Sequence, residues 1–157
     1  MSMSTTSRPR LIFLAHAPSP NTRQLATAAE VAIGKQSHAT LTIKPPLEAS
    51  ADDVLGCDGI LIGTTENIGY MAGATKDFFD RSYNDLLETA RGKPVAIYIR
   101  AGLDGTGSKK ALASIVSGLG WRLVADILVC RGEWRDDFAG EVEDLALTLA
   151  LTLEMEM

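Results

Sequence analysis

Five short apolar runs, alternating with stretches of helical periodicity, constrain this chain more than any other feature. The runs are LIFLA (11–15), ATLTI (39–43), GILIG (59–63), VAIYI (95–99) and LVADILV (123–129). Each has strand length and is mostly aliphatic or β-branched, and three have almost no polar alternation. That is the pattern of strands covered on both faces. The helical patterns fall at 22–33, 75–90, 107–119 and 140–153, with apolar stripes such as Leu112, Ile115, Val116 and Leu119. A weaker short helix fits 50–55, after the break at Pro45 and Pro46. Gly34 reads as the C-cap of the first helix, and Gly118 and Gly120 close the third.

Strand and helix alternating in this way predict an α/β domain with a parallel sheet and right-handed crossovers. At this size the expected sheet has five strands in the order 2-1-3-4-5, with helices on both faces as a three-layer sandwich. The 157 residues suit one domain over 10–157, with residues 1–9 as a short floppy tail. Hydrophobic residues make up 46% and charged ones 22%, which excludes a wholly disordered chain. A net charge of −5, with no basic block against it, excludes nucleic acid as the main partner. Cys57 and Cys130 are too few for a disulfide framework or a cysteine metal site, so no metal is expected and a reduced cytoplasmic setting is the default. No apolar run approaches the ~20 residues that span a bilayer. The expected protein is soluble, without a membrane partner.

In such a sheet ligands bind outside the carboxyl ends of the strands, where the strand order reverses between the first and the third. Three loops reach that point: HAPSPNTRQ (16–24), the stretch after the third strand (64–72), and RAGLDGTGS (100–108). All three are rich in Gly, Ser, Thr, Asn and Pro. A helix starting near Asn21 or Thr22 aims free N–H groups and a positive dipole end at an anion there, worth roughly 0.3–2 kcal/mol. Ser19, Asn21 and Thr22 add side-chain donors. Ser19 or Asn21 reads equally well as a helix cap, with Pro20 in the first turn. The glycines of a dinucleotide fingerprint are missing from this loop, and GLDGTGSKK (102–110) has Ser-Lys where a P-loop needs Lys-Ser/Thr. Its glycines read as close main-chain approach to a flat ligand, with Thr106 or Ser108 capping the next helix.

Residues 63–81, GTTENIGYMAGATKDFFDR, place Gly63, Thr64, Gly69, Met71, Ala72, Lys76, Phe78 and Asp80 in one register. This stretch resembles the flavodoxin-like FMN proteins, in particular the NAD(P)H-dependent FMN and quinone reductases. Element order carries the resemblance along nearly the whole chain, and the motif carries it over 63–81. It implies an FMN flavoprotein passing hydride from NADPH or NADH through the flavin to a small-molecule electron acceptor such as a quinone or flavin. It assigns the phosphate to Ser19, Asn21 and Thr22. His16, just after the first strand, reads either as lying near that phosphate or a nicotinamide, or as a structural hydrogen-bonder. The pyrimidine edge falls to Thr65, Glu66, Asn67, Gly69 and Tyr70, on a loop read as buried, and the other side of the ring to Ala101, Gly102 and Gly105. No catalytic acid or base is implied, because hydride transfer needs positioning. The chain departs from the family at Ala17 and Pro20 of the phosphate loop, and at Thr65 where the reductase motif has proline. An electron carrier and a binding module without flavin are the alternatives. A receiver domain is excluded, since HAPSP and GTT hold none of the acidic residues it needs after the first and third strands. The length, too short for the tetramer-building insertion of the quinone reductases, implies a homodimer. Trp134 reads either as closing the site or as an oligomer surface.

Overall fold

In a computed structural model of the protein, residues 8–157 are described, so residues 1–7 of the tail expected at 1–9 lie outside the described residues. Order begins before the first apolar run: Pro9 is buried and its carbonyl accepts the Thr40 N–H at 2.8 Å.

The strands are β1 (Arg10–Ala15), β2 (Thr40–Lys44), β3 (Gly59–Asn67), β4 (Tyr70–Met71), β5 (Pro94–Ala101), β6 (Arg122–Leu123) and β7 (Leu128–Arg131). The helices are α1 (Pro20–Gln36), α2 (Ala51–Leu55), α3 (Gly73–Leu86), α4 (Thr106–Leu119) and α5 (Asp137–Met155), with a 3-10 turn at Pro46–Glu48. The sheet runs β2-β1-β3-β5-β6, with β7 also parallel to β5, so the five apolar runs lie in the expected order. Alternate residues divide the core into two layers. Leu11, Phe13, Leu61 and Tyr98 face α1 and α5, while Ile12, Leu14, Ile62 and Ile99 face the helices on the other side. Each fully buried Leu, Ile or Phe contributes about 1.5–3 kcal/mol relative to exposure. This is why the buried middles of these strands, Leu11–Leu14, Ile60–Ile62 and Val95–Ile97, are aliphatic or aromatic throughout.

Three local expectations change. The last apolar run is two strands. Val95 pairs with Leu123 and Tyr98 with Leu128, so five steps on this strand oppose three on β5. The excess bulges outward and lets Asp126 reach solvent while Ile127 stays buried. Helix α1 runs through Gly34 to Gln36, and Ser37 caps it with its backbone N–H on the Ile33 carbonyl. Gly34 is a tolerated interior glycine rather than a stop. The stretch after β3 is a hairpin: β4 returns antiparallel along β3, pairing Glu66 with Met71 and Asn67 with Tyr70. Its tip, Asn67 to Tyr70, is exposed, and burial resumes at Met71. Cys57 and Cys130 are both free, and among the described residues no cluster of potential metal ligands occurs. Among those residues no helix is long and apolar enough to cross a membrane.

Candidate functional site at the carboxyl ends of the strands

The first candidate loop follows β1. The His16 N–H donates to the Gly63 carbonyl at 2.9 Å, which ties this loop to the end of β3. The half-buried imidazole of His16 has its pKa lowered by burial, which favours the neutral ring. Ser19 is the N-cap of α1 and Pro20 the first helical residue. The cap is reciprocal: Thr22 N–H donates to Ser19 Oγ at 3.2 Å and Ser19 N–H donates to Thr22 Oγ1 at 2.9 Å. The two hydroxyl oxygens also share a hydrogen bond of 2.8 Å. The Thr22 side chain is thus buried in the cap, whereas Asn21 is exposed on the first turn. Of the predicted phosphate donors, Asn21 faces solvent at the positive end of the helix, and Ser19 and Thr22 satisfy one another.

The second loop is the β3–β4 hairpin. Ile68 (φ 51°) and Gly69 (φ 74°) both lie in the left-handed region, as the two central residues of a type I′ turn require. A β-branched residue such as isoleucine tolerates that region poorly, and Ile68 is also fully exposed. Beneath the tip, Thr65 Oγ1 donates to Asn67 Oδ1 at 2.9 Å and the Ala72 N–H donates to the Thr65 carbonyl at 3.0 Å. Thr64 and Thr75 share a buried hydroxyl–hydroxyl bond of 2.7 Å that fixes α3 against the hairpin base.

The third loop leads from β5 into α4. Its cap is Gly105 in the left-handed conformation (φ 70°), not Thr106 or Ser108. The Glu66 carboxylate of the hairpin accepts the Gly105 N–H at 3.3 Å, and Asp104 Oδ1 accepts the Thr106 N–H at 3.1 Å. That N–H holds the Asp104 carboxyl below the usual carboxylate range. A Cβ on Gly107 would stand 1.9 Å from the Gly69 carbonyl oxygen, so glycine is required where the hairpin meets α4. Ala101 is buried, Gly102 to Asp104 are exposed, and the Leu103 side chain projects into solvent.

The structure therefore puts Thr65, Glu66, Asn67, Gly69 and Tyr70 on one hairpin, which meets the third loop through Glu66 on Gly105 and Gly69 on Gly107, while His16 is tied to the Gly63 carbonyl at the base of the same strand. Two other residues take structural roles. Arg100 Nη1 donates to the carbonyls of Ala101 (2.7 Å) and Cys130 (3.0 Å), and its guanidinium packs over Phe138 and Trp134. The Trp134 indole N–H donates to Asp136 at 3.2 Å, and its ring meets Phe138 edge-on. Sequence reasoning overlooked the role of Gly107, which touches the site only through the hairpin, and the glycine count of GLDGTGS was the one available signal.

The sheet order and its three loops define a flavodoxin-like fold. Among solved structures, the chain matches an archaeal flavodoxin at a TM-score of 0.76 and 17% identity, covering 94% of this chain and 99% of that one. It matches a flavodoxin, WrbA-like protein of Agrobacterium tumefaciens at 0.75 and 15% identity, covering 95% and 99%. An NADH:FMN oxidoreductase in its apo form matches at 0.72 and 16% identity, covering 92% and 89%. In sequence, the chain is similar to a flavodoxin of Aquifex aeolicus (strain VF5), 29% identical over 99 residues, which is 63% of this chain. That alignment spans about half of the flavodoxin, 54% of its length. No family model matches the chain.

A flavin mononucleotide needs donors for its phosphate, a donor–acceptor edge for its pyrimidine ring and a flat approach to its ring faces. The groups free to meet these needs are the first turn of α1 with Asn21, the second carboxylate oxygen of Glu66, and exposed main chain at Gly69 and Gly102, while the Gly105 N–H is already donated to Glu66.

Proposed function

We propose that this protein is a cytoplasmic FMN flavoprotein that takes hydride from NADPH or NADH and passes it to a small-molecule acceptor such as a quinone or a flavin. The observation that carries this reading is the meeting of the hairpin with the α4 loop beside the N-terminus of α1, outside the strand ends where the order reverses. The resemblance of 63–81 to the reductases and the similarity to a flavodoxin support it.

The residues divide the work. The α1 N-terminus and Asn21 hold the phosphate, and the neutral His16 beside them adds no charge. The hairpin presents Thr65, Glu66 and Asn67 to the pyrimidine edge, with Tyr70 at the rim of the ring. Gly102, with open space at its Cβ position, lets the main chain approach the other side, and Gly105, whose Cβ position would meet Val129 at 2.5 Å, holds the loop that carries it. FMN, when bound, supplies the two-electron chemistry. The protein orients it and leaves one face open, since the three loops contain a single aromatic residue, Tyr70. That open face favours a reductase over a carrier, in which aromatic rings cover the flavin on both sides.

A visible spectrum tests the reading: purified protein is reconstituted with FMN, desalted, and treated with NADPH or NADH without oxygen. Retained flavin that bleaches is the expected result. Retained flavin that ignores both donors makes the protein an electron carrier. One observation favours a second reading, a binding module without flavin: Ser19 and Thr22 spend their hydroxyls on each other, and Ala17 and Pro20 supply no replacement. No retained flavin, together with no quenching of FMN fluorescence on titration, would establish that reading. Asn21→Ala is expected to weaken FMN by ~1–2 kcal/mol through loss of a phosphate contact.

A further inference from the structure

The cation at the end of β5 is held firmly but only half used. Arg100 pairs across the sheet with Thr65, at the carboxyl edge that carries the candidate site. Tyr98, two residues earlier, packs on the α1–α5 face, and alternation puts the Arg100 side chain on that face too. There its guanidinium stacks over Phe138 at 5.2 Å and Trp134 at 5.8 Å. Nη1 spends both of its hydrogens on the carbonyls of Ala101 and Cys130. The donors on Nε and Nη2 remain, and among the described residues neither nitrogen has an acceptor. The Nε–H and one Nη2–H lie parallel on the same edge of a guanidinium, the fork that takes two oxygens of a phosphate or carboxylate.

The neighbouring carboxylates are committed elsewhere. Arg135, stacked at 4.8 Å on the same Phe138 ring, is answered by Asp137 at 4.0 Å and Glu141 at 3.6 Å. Asp136 accepts the Trp134 indole N–H. Among the described residues Arg100 makes no ion pair. Yet it is half-buried, so it has given up part of its hydration without gaining a counter-charge. An anion from outside restores that balance. Two carbonyls and two rings already fix the plane of the guanidinium, so binding orders no flexible side chain.

We propose that Arg100 is a phosphate anchor additional to the first turn of α1, its free edge taking the dianion of a phosphate monoester. The source of that phosphate rests on the proposed flavin function, which offers two: the phosphate of FMN itself and the 2′-phosphate of an NADPH donor. Both meet the protein at the carboxyl edge of the sheet, where Arg100 stands one strand beyond the hairpin.

Titrations of the full chain test this. Arg100→Lys keeps a positive charge and a donor for the two carbonyls but loses the fork. Arg135→Gln is the control, its charge being already matched. Quenching of flavin fluorescence reads FMN and riboflavin, and calorimetry without flavin reads adenosine 2′,5′-bisphosphate. If the flavin is the source, Arg100→Lys weakens FMN by at least about tenfold and leaves riboflavin unchanged. If the donor is the source, it weakens the bisphosphate by at least about tenfold and leaves FMN unchanged. Equal losses of FMN and riboflavin would make Arg100 a support of the fold alone, and equal losses in Arg135→Gln would reduce the effect to general charge. Either result overturns the proposal. Wild type that binds FMN, with every titration indifferent to Arg100, overturns it while the flavin function stands. Wild type without affinity for flavin that takes the bisphosphate through Arg100 keeps the anchor and refutes the flavin function. A chain that binds none of the probes refutes both.

Discussion

Replacing Gly107 with alanine tests how the site is assembled. Gly107 is the second residue of α4, where alanine would ordinarily help a helix by up to about 1 kcal/mol. Here the new Cβ would lie 1.9 Å from the Gly69 carbonyl oxygen and 3.1 Å from its carbon. An ordinary carbon–oxygen contact is about 3.3 Å, so the hairpin or the helix must move by about 1.4 Å. The obstacle is main chain in a tight turn whose central residues are already in the left-handed region, so no side-chain rotation relieves the clash. Overpacking of this kind costs about 1–3 kcal/mol, and set against a helical gain of up to about 1 kcal/mol it leaves a net loss of up to about 2 kcal/mol. Gly34→Ala is the matched control. It lies inside α1 with nothing within 4 Å of its Cβ position, and alanine there is expected to stabilise by about 0.4–1 kcal/mol. Urea unfolding of both variants against wild type reads the difference as shifts of midpoint at constant slope. FMN titration of Gly107→Ala is expected to show weaker binding, since the displaced hairpin carries Glu66 away from Gly105. If Gly107→Ala proves as stable as Gly34→Ala, the hairpin does not lean on α4 and the assembly described for the site is wrong.

Ser108→Ala is expected to leave the protein as stable or to stabilise it by about 1 kcal/mol, because Ser108 Oγ is fully buried without a hydrogen-bond partner. A clear loss in urea unfolding would mean that the hydroxyl is bonded. Stability is also expected to fall at both ends of the pH range, through groups that the fold keeps neutral. Burial raises the Cys130 thiol from 9.0 to about 12, so its contribution is complete below pH 9 and is lost as the pH rises towards 12, while the unfolded chain ionises. Cys130→Ala should flatten that limb in urea midpoints measured against pH, and an unchanged slope would refute the assignment. Burial lowers the His16 pKa below 6.5, so its contribution is present above 6.5 and fades as the pH falls through that value. NMR titration of the His16 ring checks it directly, and a midpoint at or above 6.5 would contradict the burial argument.

The order of elements and the sheet were legible in the chain by itself, because both rest on local information. An unbroken aliphatic run of five residues bounded by turn residues suits a strand covered on both faces, and three helical stripes and one short helix separate those runs, with a fourth stripe after the last. From that alternation the strand order, the two-layered core and the position of the ligand loops follow. So do the cap at Ser19 with Pro20 behind it, since capping involves residues three apart. What depended on distant partners was not legible. Gly34 carries the residue type of a helix stop, yet α1 continues past it, its buried stripe from Leu25 to Ile33 outweighing a single glycine. LVADILV reads as one strand, but its register against β5 breaks it in two. The loop after β3 becomes a hairpin with an exposed tip, because Glu66 and Gly69 find Gly105 and Gly107 nearly forty residues on. A chain records its periodicities residue by residue, whereas a contact between two loops exists only once the sheet has brought them together. The tertiary structure therefore decided the shape of the candidate site, which of its hydroxyls are already spent, and which glycine it cannot lose.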